Sequence, residues 1–172
     1  LTLGFYVRPW IKVPYPEIPA LGRIEAEYFK PEDWKPEYPN PAFTNARPED
    51  RFWAARILAA LSDDGVRAVI GAAKYSDSKA TEYLTTTLLK RKQKVVTSWL
   101  NATNPIVNLT LSASGELTFE NAAQTAGVGP AAEHYTIQWS AFDNASSTHA
   151  DVGAEQRVTS AAARAPEALL SA

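Results

Sequence analysis

The sequence predicts a mixed α+β chain, and three observations carry that prediction. Proline and aromatic residues crowd the first 48 positions. The middle of the chain carries helix caps and one long helical stripe, and the last third reads as short strands around turn sequences. We therefore expect an extended strap over 1–48, a bundle of about three helices over 49–105, and a small β-rich part, resembling a partial sandwich, over 106–172.

Nine of the 12 prolines lie between Pro9 and Pro48, and eleven of the 18 aromatic residues lie before Tyr75. Proline fixes φ and lacks an N–H, so regular helix or central strand is excluded for most of this segment. Its rings nevertheless carry too much apolar surface for a solvated linker. The expectation is a turn-rich strap that lays its rings on a neighbouring core. The sharper alternative is a binding groove lined by Trp10, Tyr15, Trp34 and Tyr38.

Pro48 suits the first turn of a helix, and Glu49 and Asp50 complement its positive end. Phe52, Ile57, Leu58 and Leu61 follow. Ser62, Asp63 and Asp64 offer a new cap before Val66, Val69 and Ile70. Ser76 or Asp77 can cap a third helix. There Ala80, Leu84, Leu88, Arg91, Val95 and Trp99 recur at three or four residues and share one stripe. Pro105 forbids its continuation, so the helix stops between Asn101 and Pro105.

Ile106–Leu111 and Glu116–Phe119 read as strands around the turn sequence Ser-Ala-Ser-Gly115. Asn121–Ala126 reads as a short helix closed by Gly127. Tyr135–Trp139 alternates as a half-buried strand does, Asp143-Asn144 is a turn, and Gln156–Thr159 is a further strand. Ala161–Ala172 is too short and Ala-rich to hold a core by itself. Charge follows the same division. Residues 1–48 hold six basic and six acidic side chains, 49–105 nine and six, and 106–172 two and seven, in accord with the net charge of −2.

Composition excludes several chemistries. The absence of Cys removes disulfides, thiolate metal sites and Cys nucleophiles, and no apolar run approaches a membrane span. Near-neutral charge argues against a nucleic-acid partner. Lys90, Arg91, Lys92 and Lys94 are expected to form a solvated helix face rather than a phosphate-binding patch. His134 and His149 lack the close spacing of a zinc pair and read as ordinary strand or turn residues. Ser76-Asp-Ser-Lys79 fits S-x-x-K without its companion motifs, and Ser76 reads instead as a cap. Gly127-Val-Gly129-Pro-Ala-Ala132 fits G-x-G-x-x-A. It follows a helix rather than a strand, however, and Pro130 removes an N–H, so a dinucleotide site is rejected. The paired carboxylates are adjacent in sequence, which does not supply the cleft spacing of a glycosidase. Asn101, Asn108 and Asn144 begin N-glycosylation tripeptides that matter only in a eukaryotic secretory protein. No catalytic residue, metal ligand or cofactor is predicted.

Longer strings are more distinctive: Gly4-Phe-Tyr-Val-Arg-Pro-Trp10, Trp34-Lys-Pro-Glu-Tyr-Pro-Asn-Pro-Ala-Phe43, Arg47-Pro-Glu-Asp-Arg-Phe-Trp-Ala-Ala-Arg56 and Tyr75-Ser-Asp77. Leu89-Lys-Arg-Lys-Gln-Lys94, Phe119-Glu-Asn-Ala-Ala123 and Trp139-Ser-Ala-Phe-Asp-Asn144 continue the pattern. Together they resemble the C-terminal part of a family of large uncharacterised bacterial proteins, usually predicted to be exported. The resemblance implies a longer polypeptide with a faint kinase-like region upstream and further β-like sequence downstream; a first residue of Leu1 accords with a piece. It implies a periplasmic or extracellular location, with which the lack of Cys is compatible, and it supplies no catalytic residue. The expected function is a non-catalytic structural or protein-interaction region, its partner a protein or other parts of the same polypeptide. The alternatives are an accessory helical lobe of a kinase-like phosphotransferase, resting on analogy alone, and a glycan-binding module using the exposed rings.

Overall fold

Local capping chemistry decides where most of the helices begin. The computed structural model describes residue 7 and residues 9–170 of the chain, with 37% in helices and 18% in antiparallel strands, a mixed α+β fold. The chain divides into two compact units, residues 1–103 and residues 104–172.

In the first unit, one 3-10 turn (Pro9–Lys12) precedes an irregular strap, which reaches a short helix α1 (Pro41–Thr44). Asn40 caps α1 by accepting the Ala42 N–H at 3.0 Å. Helix α2 (Pro48–Ala60) has Pro48 in its first turn, and Asp50 reaches back to accept the Arg47 N–H at 2.9 Å. Ser62 caps α3 (Asp63–Ala72) through the Gly65 N–H at 3.0 Å. Of the two expected caps for α4 (Ser78–Leu100), it is Asp77 that accepts, from the Lys79 N–H at 2.9 Å. Ser76 is not the cap, because the shorter Asp77 carboxylate arm sits one residue before the first turn, in extended conformation.

α4 is buried on more sides than its expected stripe. Ala80 is buried, but Leu84, Leu88, Arg91, Val95 and Trp99 are only half-buried, whereas Thr85, Thr87, Val96 and Leu100 are buried off that line. The reason is that α4 packs against α2 and α3 and also carries the strap. Arg51 of α2 lies over the Trp99 ring at 4.7 Å from its centroid, and Lys92 donates to Leu61 O and to Asp63 at 2.8 Å. At about 100° per residue, Tyr83, Arg91 and Lys94, which meet the strap, fall on a different side of the helix from Lys92 and Trp99.

In the second unit, β1 (Ile106–Leu111), β2 (Glu116–Asn121) and β7 (Ala162–Arg164) form an antiparallel sheet in the order β1-β2-β7. Gly115 turns β1 into β2 with φ +81°, a conformation that favours glycine. A bulge between Val107 and Thr110 places Asn108 at φ +53°. The helix α5 (Ala122–Thr125) starts at Asn121, whose side chain accepts the Ala123 and Gln124 N–H groups, and Gly127 follows it at φ +66°. Two ribbons complete the unit: β3 (Tyr135–Ile137) with β6 (Gln156–Val158), and β4 (Ser140–Asp143) with β5 (Thr148–Asp151). Phe119 of β2 meets Tyr135 of β3 edge to face, with centroids 4.9 Å apart, and so joins one ribbon to the sheet. A last turn of helix, α6 (Glu167–Leu170), follows β7.

Candidate functional site

The strap has no strand or helix partner for its backbone between Ile24 and Phe29, so its carbonyls need donors from elsewhere. One face of α4 supplies them. The Tyr83 hydroxyl donates to Ile24 O at 2.9 Å, and Arg91 Nε donates to Glu25 O. Lys94 Nζ donates to Glu27 O at 2.7 Å and Phe29 O at 3.1 Å. Arg91 also faces the Glu25 carboxylate at 3.6 Å and lies 4.6 Å from the centroid of the Phe29 ring. The basic cluster is therefore not the solvated face expected from the sequence. Arg91, Lys92 and Lys94 are structural donors because the extended segment opposite them leaves main-chain oxygens without partners, and only Lys90 of the four stays exposed.

Two open troughs flank this clamp. The larger, about 670 Å³, has Tyr83, Thr86, Lys90 and Gln93 of α4 in its floor, with Glu27 and the Pro14 and Pro16 rings in its walls. The smaller, about 310 Å³, lies between Phe29–Glu32 and the Gln93–Ser98 stretch of α4. In it the Ser98 hydroxyl, and then the backbone N–H of Glu32 itself, hold the Glu32 carboxyl below its ordinary range.

The four rings proposed from the sequence line neither trough. Trp10 belongs to the 3-10 turn, and its side chain lies outside the described residues. Tyr15 is half-buried beneath Arg23, 4.2 Å from its ring centroid, and Arg23 in turn donates to Ile11 O and Val13 O at 2.8 and 3.1 Å. Trp34 is 49% exposed and meets Phe43 edge to face at 5.2 Å, while Tyr38 is 82% exposed. The strap is thus fastened through its backbone, and its later rings stand out from the surface. The expectation that they lie buried on a neighbouring core does not hold, nor does Trp34 form a coplanar platform with Phe43. Trp53 (64% exposed), Ile57 and Leu61 add a further apolar row at spacings of four along α2 and its C-cap. The polar α4 face went unrecognised in the sequence, although its Tyr-x-x-Thr-x-x-x-Lys-x-x-Gln spacing from Tyr83 is a helical row.

The rejected motifs have clear structural roles. The N–H groups of Gly127, Val128 and Gly129 donate to Gln124 O, Ala123 O and Ala123 O at 2.9, 2.9 and 3.1 Å, so they close α5 rather than cradle a phosphate. His134 Nδ1 accepts from Arg157 at 2.9 Å, and His149 sits in β5 opposite Phe142. Among the described residues, no group of three or more His, Asp or Glu side chains could hold a metal ion, and no helix is long and apolar enough to cross a membrane.

Comparison with known proteins adds no relative. No family model matches the chain, and searches of curated proteins and of solved structures likewise gave no match.

Proposed function

We propose that this chain is a non-catalytic interaction region of a larger exported bacterial protein, of the family that its sequence resembles. The observation that carries this reading is the apolar surface left in water. Tyr28, Trp34, Tyr38 and Phe43 on the strap and α1, with Trp53, Ile57 and Leu61 on α2, are all exposed. Single exposed apolar residues are ordinary, but a row of them beside further large rings marks an interaction surface. The total area points the same way. The chain exposes 12448 Å². Two separate compact units of these sizes would expose roughly 10,000 Å².

The surface fits a protein partner or another segment of the same polypeptide, because aromatic side chains bury large areas at low entropic cost. The location outside the cytoplasm follows from the resemblance, and the lack of Cys is compatible with it. The test is a photo-crosslinking side chain placed at Trp53, at Tyr38 or at the exposed polar position Glu82 of the parent protein in its own cells. Discrete adducts from the first two positions and none from Glu82 are expected, in the periplasmic or extracellular fraction. Equal labelling at all three positions, or none at the rings, would overturn the reading.

A further inference from the structure

The α4 face that fastens the strap continues beyond it. Tyr83, Arg91 and Lys94 already hold an extended chain by four of its main-chain oxygens, those of Ile24, Glu25, Glu27 and Phe29. Beside them Thr86, Lys90 and Gln93 are exposed and line the trough of about 670 Å³, and none makes a side-chain hydrogen bond among the described residues. With Tyr83 they form a row spaced three, four and three residues apart, about 15 Å long.

We infer that this trough holds a second extended peptide segment, from a protein partner, lying beside the strap and held through its backbone carbonyls by Thr86, Lys90 and Gln93. The inference rests on the interaction reading above but concerns a site distinct from the exposed rings. Its chemistry is that of the neighbouring clamp. A hydroxyl, an ammonium and a carboxamide offer mainly donors, and the acceptors that suit such a row are evenly spaced oxygens. On one side of an extended peptide the carbonyls repeat at roughly 6.6 Å, close to the roughly 5–6 Å between side chains along a helix row. Pro14 and Pro16 give the trough apolar walls without N–H groups that would compete for those carbonyls. The exposed Glu27 carboxylate at its edge selects a neutral or basic peptide over an acidic one.

The test is selection of a displayed random-peptide library on the full chain, followed by affinity measurement on variants. Neutral or basic peptides are expected. Their affinity should fall about tenfold or more in Lys90→Ala/Gln93→Ala, as removal of charge-assisted hydrogen bonds does. It should be unchanged in Tyr38→Ala/Trp53→Ala. Both targeted positions are exposed, and an unaltered thermal midpoint of the double variant will show that loss of binding is not loss of fold. Three outcomes overturn the inference: no peptide is enriched, the selected peptides bind Lys90→Ala/Gln93→Ala as well as the parent, or neutral oligosaccharides on an array bind in a Lys90-dependent way where peptides do not. Peptide binding lost only in Tyr38→Ala/Trp53→Ala would leave the interaction reading standing and remove this site.

Discussion

Arg91 shows how one side chain can serve three purposes at once. It donates to Glu25 O, faces the Glu25 carboxylate at 3.6 Å and lies over Phe29. The ion pair is partly in water, with the Arg91 side chain 29% exposed, so its Coulombic share is worth less than about 1 kcal/mol. The carbonyl bond and the ring contact add roughly 1–2 kcal/mol together. Arg91→Ala should therefore destabilise the first unit by about 1–3 kcal/mol in urea unfolding, with Arg91→Lys recovering only part of it, since an ammonium cannot reproduce the planar fork. A loss below a few tenths of a kcal/mol would mean that the strap is held elsewhere. Asp143 illustrates a purely electrostatic case. The Ser146 hydroxyl and the Ala145 N–H, both at 2.8 Å, hold its carboxyl below the ordinary value of 3.8. Because the folded value is depressed, the turn's contribution is present above pH 3.8 and lost as pH falls through the lower folded value. A carbon-detected NMR titration should show Asp143 titrating below 3.8 and returning toward 3.8 in Ser146→Ala.

At the scale of elements, what could be read from the sequence is what depends on neighbours in the chain. The Ser62 cap, Pro48 in a first turn, Gly127 after α5 and the end of α4 before Pro105 are all local chemistry. The role of Lys94 was not legible, because the carbonyls it serves lie 65 and 67 residues away. Strand β7 was not legible either, since Ala162-Ala-Arg164 has little strand propensity. It is recruited by register, with Ala163 opposite Leu117 and Arg164 opposite Glu116, and the Ala165 N–H donates to Gly115 O at 2.8 Å. The site rings were found in the sequence, but not which of them would be exposed, for exposure depends on what the strap backbone is tied to. Gly115 links these points and can be tested. A Cβ there would meet Leu170 Cδ2 at 2.6 Å, on a backbone at φ +81°. Gly115→Ala should cost about 1–3 kcal/mol. Adding Leu170→Ala should recover the part due to the clash and leave the part due to φ, a split that a double-mutant cycle measures. Full recovery would show that the turn tolerates alanine.

At the scale of the whole molecule, each unit has its own buried residues. Ala55, Ile70, Ala80, Val96 and Leu100 serve the first, and Val107, Phe119, Ala123 and Ala165 the second. The two cores are unequal. Leu100 is the large side chain that is fully buried, and it lies at the end of α4, whereas two of the four buried residues of the second unit are alanines. Burial of a Leu or Phe side chain contributes roughly 1.5–3 kcal/mol and of an alanine methyl far less. A unit of about seventy residues with so few buried side chains is therefore only marginally stable. Calorimetry of the chain should show two transitions, the earlier one abolishing the dispersion of the strand amides while the helical circular dichroism of α2–α4 persists. Phe119→Ala should lower the first transition and leave the second in place, since Phe119 packs on Tyr135 within the second unit. Arg91→Ala should do the reverse. A single transition moved equally by both substitutions would show that the 172 residues melt as one cooperative body.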